Sequence, residues 1–142
     1  MPTPTPAPPV EAVVETAVYV ADLAAAESFY AGVLGLPVIA REAGRHVFFR
    51  VGPGSVLLVF DPAATLCGGG LSPHGSTGPG HLALGIGHDT LDQRRKRLAE
   101  HGLAVEHEQD WPRGGQSLYF RDPAGNSVEL VTPGVWGTPA GW

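Results

Sequence analysis

The sequence predicts an α+β protein: two tandem βαβββ modules forming a cupped eight-stranded mixed sheet with helices outside. Three observations carry this. Residues 116–131, QSLYFRDPAGNSVELV, read as strand, turn and strand. Leu118, Tyr119 and Phe120 are strand formers, Asp122 to Asn126 carry turn chemistry, and Val128 to Val131 resume an extended run. The pattern has an earlier counterpart: VFFRVGPGSVLLV lies alongside LYFRDPAGNSVELV, and LGLPV alongside HGLAV. Each copy also follows a strand and an amphipathic helix. A repeat this long exceeds a solenoid unit and points to a pseudo-twofold pair.

The elements follow in order. Residues 1–12 are Pro-rich, lack the basic and apolar regions of a signal peptide, and read as a disordered extended tail. Residues 13–20 (VVETAVYV) form a strand. Asp22 caps a helix over 23–34 with Leu23, Ala26, Tyr30, Val33 and Leu34 as its apolar stripe. Gly35 ends that helix in the position a left-handed cap favours. Strands over 37–41, 46–51 and 55–60 complete a first module, 13–60. Residues 61–80, rich in Gly, Pro and Ser, read as a linker. The second module, 81–134, has a strand over 81–86 and a helix over 91–101. That helix turns Leu91, Leu98 and Ala99 inward and its arginines outward. A strand over 103–108 and the 116–131 hairpin follow. Residues 135–142 form a tail whose Trp136 and Trp142 suit folding back on the surface.

Length and composition bound the function. The 142 residues suit one domain with a sizeable core, and 43% hydrophobic with 16% charged residues suits a globular protein. A net charge of −5 argues against nucleic-acid or anionic-membrane partners. The one basic run, Arg94 to Arg97, fits an outer helix face. The single cysteine, Cys67, excludes an internal disulfide, suits a reducing cytoplasm, and has no neighbouring base to make it a nucleophile. No apolar run approaches the roughly 20 residues of a membrane span.

Strand alternation places the polar residues. In the first strand Glu15 shares a face with Ala17 and Tyr19, opposite Val18 and Val20. In its counterpart His81 shares a face with Ala83 and Gly85, opposite Leu82, Leu84 and Ile86. The greasier face belongs under the helix, so Glu15 and His81 fall on the concave side. Glu129, between Val128 and Leu130, joins them there, with Leu57 as its first-half equivalent. A carboxylate set in an apolar strand needs a partner, water or a cation. One such residue near a strand end is ordinarily solvated. Three at equivalent positions of a repeat predict a metal site of Glu15, His81 and Glu129.

Three segments, ETAVYVADLAAAESFYAGVLGL, GHLALGI and FRDPAGNSVEL, resemble the vicinal oxygen chelate superfamily over residues 13–134. Its members include glyoxalase I, bleomycin-resistance proteins, fosfomycin-resistance enzymes and extradiol dioxygenases. The resemblance implies ligand positions at Glu15, Leu57, His81 and Glu129, of which Leu57 cannot ligate. What remains, one nitrogen and two carboxylates, suits a single divalent ion: Mn²⁺, Fe²⁺, Co²⁺, Ni²⁺ or Zn²⁺.

The expected function is therefore a cytoplasmic metal-dependent enzyme with lyase, isomerase or dioxygenase-like chemistry. A small oxygenated substrate would chelate the ion, and Glu129 or Glu15 would serve as base. Substrate contacts are expected from His46, Tyr119, His74, Trp111 and Arg113. Arg41, Arg45 and Arg113 are candidate anchors for a thiol cofactor's carboxylates. The alternative is a non-catalytic, bleomycin-resistance-like protein that sequesters its ligand. Exposed sheet edges predict a homodimer, the cup closing within one chain or by exchange of halves.

Overall fold

The computed structural model describes residues 1–67 and 70–142. The first module contains β1 (Glu15–Tyr19), α1 (Leu23–Glu27) continued by a π-helical segment (Ser28–Val33), β2 (Val38–Glu42), β3 (His46–Val51) and β4 (Ser55–Phe60). The second contains β5 (His81–Gly85), a 3-10 turn (His88–Thr90) leading into α3 (Leu91–Glu100), β6 (His107–Asp110), β7 (Gln116–Arg121) and β8 (Ser127–Val131). The eight strands form two four-stranded mixed sheets, ordered β1-β4-β3-β2 and β5-β8-β7-β6. In each, the first strand runs parallel to the last and the remaining neighbours pair antiparallel. The parallel pair is what a helical crossover followed by a meander produces. The tandem βαβββ architecture is the one the repeat predicts.

Local chemistry explains the first helix. Asp22 sits in extended backbone and its carboxylate accepts the Ala25 N–H at 2.9 Å, satisfying a donor the helix start leaves free. Ala26, Phe29, Tyr30 and Val33 are buried along one side. The last turn widens, with Leu34 N–H donating to the Phe29 carbonyl, and Gly35 ends it at φ +75°.

Four readings of the sequence need correction. The linker is not plain coil: Asp61 accepts the Ala63 N–H and caps a short helix, α2 (Pro62–Leu66). Gly68 and Gly69, also within it, lie outside the described residues. The strand expected over 103–108 begins at His107, because Leu103 and Val105 pack against the core without joining the sheet. In α3, Ala99 is exposed while Leu91 and Leu98 are buried. Nor are all its arginines free: Arg97 donates to the Val33 and Gly32 carbonyls at 2.6 and 2.8 Å, tying α3 to the end of the first helix.

A single core cluster draws on both modules, with Phe29 and Phe120 rings 5.9 Å apart. Its polar centre is the β7–β8 turn. Asp122, 4% exposed, accepts from Tyr30 O–H at 2.8 Å and from Ala124 N–H, Asn126 N–H and Asn126 Nδ2 at 2.9 Å. Asn126 in turn accepts the Gly80 N–H at 2.8 Å and donates to the Tyr19 carbonyl at 3.3 Å. The DPAGN segment thus closes its own turn and fixes the entry to β5, the end of β1 and the first helix.

Burial foremost, then the Asp122 charge, push the Tyr30 phenol far above its ordinary value. The folded chain therefore prefers the neutral phenol. That preference leaves stability intact below about pH 10, the unfolded tyrosine range, and removes it progressively above. Urea unfolding of Tyr30→Phe should show a loss of about 1–3 kcal/mol, and Asp122→Ala about 3–5 kcal/mol. The wild type should weaken more steeply above pH ~10 than Tyr30→Phe does.

Candidate functional site

Register decides which side chains share a face. On the second sheet His81 pairs with Ser127, Ala83 with Glu129 and Gly85 with Val131. Glu129 also pairs with Tyr119, Val131 with Ser117, and Tyr119 with His107. The intervening residues Leu82, Leu84, Leu118, Phe120, Val128 and Leu130 are core. His81, Glu129 and Tyr119 therefore stand together on the face turned away from the core.

The heart of this face is one close pair. His81 Nε2 lies 3.4 Å from Glu129 Oε1. The His81 Nδ1–H donates to the Ser127 carbonyl at 3.1 Å, which leaves Nε2 directed at Glu129. Glu129 is only 8% exposed, and its Oε2 accepts the Ser117 hydroxyl at 2.6 Å. Trp111 Nε1–H donates to that same Ser117 oxygen at 2.8 Å. The Tyr119 ring lies nearly parallel to His81, with centroids 6.2 Å apart, and tilts toward His107 at 5.8 Å. Burial first, then the Glu129 charge, raise the Tyr119 phenol above its ordinary value. An imidazole nitrogen beside a carboxylate, each held from behind by a second hydrogen bond, is a donor set that fits a divalent cation.

The first sheet presents a different face. Glu15 pairs with Val56, Ala17 with Leu58 and Tyr19 with Phe60. Arg50, Phe48 and His46 face the same three β4 residues from the other side. Leu57, by contrast, pairs with Thr16 and is 1% exposed in the core. The counterpart of Glu129 is therefore Leu58, not Leu57. Leu58 follows Phe48 by ten positions, as Glu129 follows Tyr119, so the two hairpins are equal in length and an ungapped match of the halves gives Leu58. Leu58 is as poor a ligand as Leu57, so the set of three donors is unaltered.

Within one chain these three do not converge. Glu15 is exposed, and among the described residues no group of three or more His, Cys, Asp or Glu side chains could hold an ion. His46 and His74 join an aromatic cluster instead. The His46 ring stacks on Phe48 at 3.9 Å, and its buried Nδ1 lacks a hydrogen-bond partner. Burial also lowers the affinity of His46 for a proton. Tyr19 Oη and His74 Nδ1 are 2.5 Å apart, and the His74 ring meets Phe60 at 4.8 Å. Trp111 supports Ser117 from behind.

Arg113 donates to the Trp136 carbonyl at 2.7 Å, Arg41 is paired with Glu27, and Arg45 binds the Ala64 carbonyl and lies near Glu42. None of these three is a free anchor. Sequence reasoning passed over Ser117 and His107. Ser117 was accessible to it, two residues before Tyr119 on an alternating strand. Arg50, with His46 and Phe48, lies on the Glu15 side.

Two tandem βαβββ modules of this kind define a glyoxalase-like class of protein. The model of the Glyoxalase/Bleomycin resistance protein/Dioxygenase superfamily matches residues 12–130, and the chain belongs to that superfamily. A lactoylglutathione lyase from Agrobacterium tumefaciens superposes with a TM-score of 0.85 at 39% identity, covering 91% of this chain and 98% of that one. A glyoxalase/dioxygenase from Nostoc punctiforme gives 0.62 at 25% identity, covering 87% and 98%. A glyoxalase/bleomycin resistance protein/dioxygenase from Nocardioides gives 0.69 at 22%, covering 94% and 90%, a likeness of fold. No curated protein matches the chain. Among the described residues no helix is long and apolar enough to cross a membrane.

The Glu129 charge is one reason the Tyr119 phenol resists ionisation, so neutralising it should act in a known direction. In Glu129→Gln the phenol should ionise at lower pH, nearer the usual value of about 10. Ultraviolet difference titration of the phenolate, with Tyr119→Phe to identify its contribution, checks this.

Proposed function

We propose that this protein is a divalent-metal-dependent lyase or isomerase of the glyoxalase type, working as a homodimer. The observation that carries the reading is the His81–Glu129 pair, its tautomer and rotamer held by Ser127 and Ser117. The 39% identity to a lactoylglutathione lyase supports the reaction class. Glu15 is the third donor. Because it does not meet the pair within one chain, it comes from the first sheet of the second copy. That sheet would bring Tyr19, His46, Phe48, Phe60 and His74 as an aromatic wall, and Arg50 as a cation for an anionic substrate group.

When bound, an Mn²⁺, Fe²⁺, Co²⁺, Ni²⁺ or Zn²⁺ ion held by His81, Glu129 and Glu15 supplies Lewis acidity toward two substrate oxygens. The substrate class is the adduct of a 2-oxoaldehyde with a thiol. Its isomerisation moves the carbon-bound proton from the carbon bearing sulfur to the neighbouring carbonyl carbon, the hydroxyl proton passes to the former carbonyl oxygen, and a hydroxy thioester results. Glu129 takes and returns the carbon-bound proton. Its burial shields the captured proton from exchange with water. Ser117 holds the second carboxylate oxygen, so the oxygen facing His81, once released from the ion, would carry the proton. Tyr119, kept neutral by burial, is a hydrogen-bond donor beside the same carboxylate.

The aromatic cluster of the first sheet favours one competing reading, a protein that sequesters a bulky ligand without converting it. Metal uptake separates the two. Wild-type chain should gain one ion per subunit and about 2.7 kcal/mol of stability at a hundredfold excess over the dissociation constant. His81→Ala and Glu129→Ala should lose both, and an unresponsive wild type would favour the sequestering protein.

Glu129→Gln should lower kcat by about 10²–10⁴-fold. Glu15→Ala mixed one-to-one with Glu129→Ala should recover about a quarter of wild-type activity, because half the dimers are mixed and each restores one intact site. No recovery after subunit exchange would rule out a shared site.

A further inference from the structure

The C-terminal segment folds into a turn closed by Gly134 N–H to the Gly141 carbonyl at 2.8 Å and Thr138 N–H to the Trp142 carbonyl at 2.7 Å. It sets the indole of Trp142 directly on Gly85. A Cβ at Gly85 would lie 2.5 Å from Cζ2 and 2.7 Å from Cζ3 of that ring, closer than packed atoms come. Gly85 is not among the glycines with positive φ, so its backbone does not demand glycine. The ring above it does. A strand glycine of this kind marks a close approach.

The direction of that approach matters. Gly85 alternates with Ala83 and His81, so its missing side chain would project from the face that carries the His81–Glu129 pair. Ala83 pairs with Glu129, and Gly85 lies two residues further on, about 7 Å along the strand. The floor from the pair toward the indole is thus made of Ala83 and Gly85, the smallest side chains available. A cavity of about 540 Å³ opens there, lined by Val51, Pro53, Ala83, Val131, Val135 and Trp142 among others. Its lining is apolar, unlike the polar surroundings of Glu129.

We propose that Trp142 is a specificity-determining wall, the end of an apolar pocket that receives the arm of a chelating substrate and limits its length. This rests on the function proposed above. Substrate oxygens at His81 and Glu129 would leave the arm running over Ala83 toward the indole. Its length is then set by how far the ring reaches across Gly85.

Straight-chain alkyl hydroxamates, two-oxygen chelators of graded length, test this by calorimetric titration of the full chain loaded with Ni²⁺. Wild-type affinity should rise with the alkyl arm and then fall once the arm meets the ring. In Trp142→Ala the fall should move to longer arms, with affinity for the longest rising on the order of tenfold and acetohydroxamate unchanged. Gly85→Ala unseats the ring without deleting it and should shift the profile the same way. Both variants should melt as the wild type does. A wild type that fails to bind acetohydroxamate defeats the chelate reading and the wall with it. A normal affinity for acetohydroxamate and an unchanged length profile in both variants defeats the wall alone.

Discussion

The structure depends on one buried charge. Asp122 is 4% exposed and has no cationic partner within its hydrogen bonds; four N–H and O–H donors satisfy it instead. A carboxylate is tolerated in a core only when its lone pairs are filled, so every donor around it is constrained at once. Three of the four belong to its own turn. The fourth, Tyr30, belongs to the other module, and Asn126 extends the network to the Tyr19 carbonyl and the Gly80 N–H. The two modules are thereby locked at the end of the second sheet where β5 and β8 begin. His81 and Ser127 stand at that end, so the geometry of the His81–Glu129 pair follows from a network on the opposite side of the sheet.

The pair itself is built on a contrast of environments. Glu129 is nearly buried, with a hydroxyl on one oxygen and an imidazole on the other, while the His81 side chain is half exposed. A nearly buried carboxylate with a single hydroxyl on one oxygen has capacity left for a cation delivered from the exposed side. Asp122, with four donors, needs none. The two acidic groups of one hairpin therefore have opposite fates, decided by the number of donors within reach. The module-joining carboxylate is saturated and inert, and the open-face carboxylate is left with capacity to spare.

Much of this was legible in the sequence. The repeat was visible because both halves preserve turn residues and strand alternation, and Asp22 and Gly35 marked the first helix through cap chemistry. Alternation alone put His81 and Glu129 on one face, since a strand offers only two. What escaped depended on contacts across the chain. The mismatch of Leu57 and Leu58 came from matching Ser55 with Ser127 across a one-residue gap, which the ladder register closes. Arg97 looked like an outward helix charge, yet it reaches carbonyls left free at the end of another helix. Leu103 and Val105 had strand character but are claimed by the core before the ladder begins. The commitments of Arg41, Arg45 and Arg113 were equally invisible, because an ion pair between distant segments leaves no local pattern.

The duplicated scaffold has not kept duplicated faces. Around Leu58 sheet one presents Glu15, Phe48 and His46, and around Glu129 sheet two presents His81, Tyr119 and Ser117 at the matching places. Had both centres kept a carboxylate, each sheet could have supported its own partial ion site and the two would have competed. With Leu58 on one side, a paired imidazole and carboxylate occur only on the second sheet, and the centre of the first is apolar. In the proposed dimer, an apolar centre facing that pair would lower the local dielectric and strengthen its electrostatic interactions. The loss of a fourth donor at Leu58 is therefore better understood as a division of labour than as a defect.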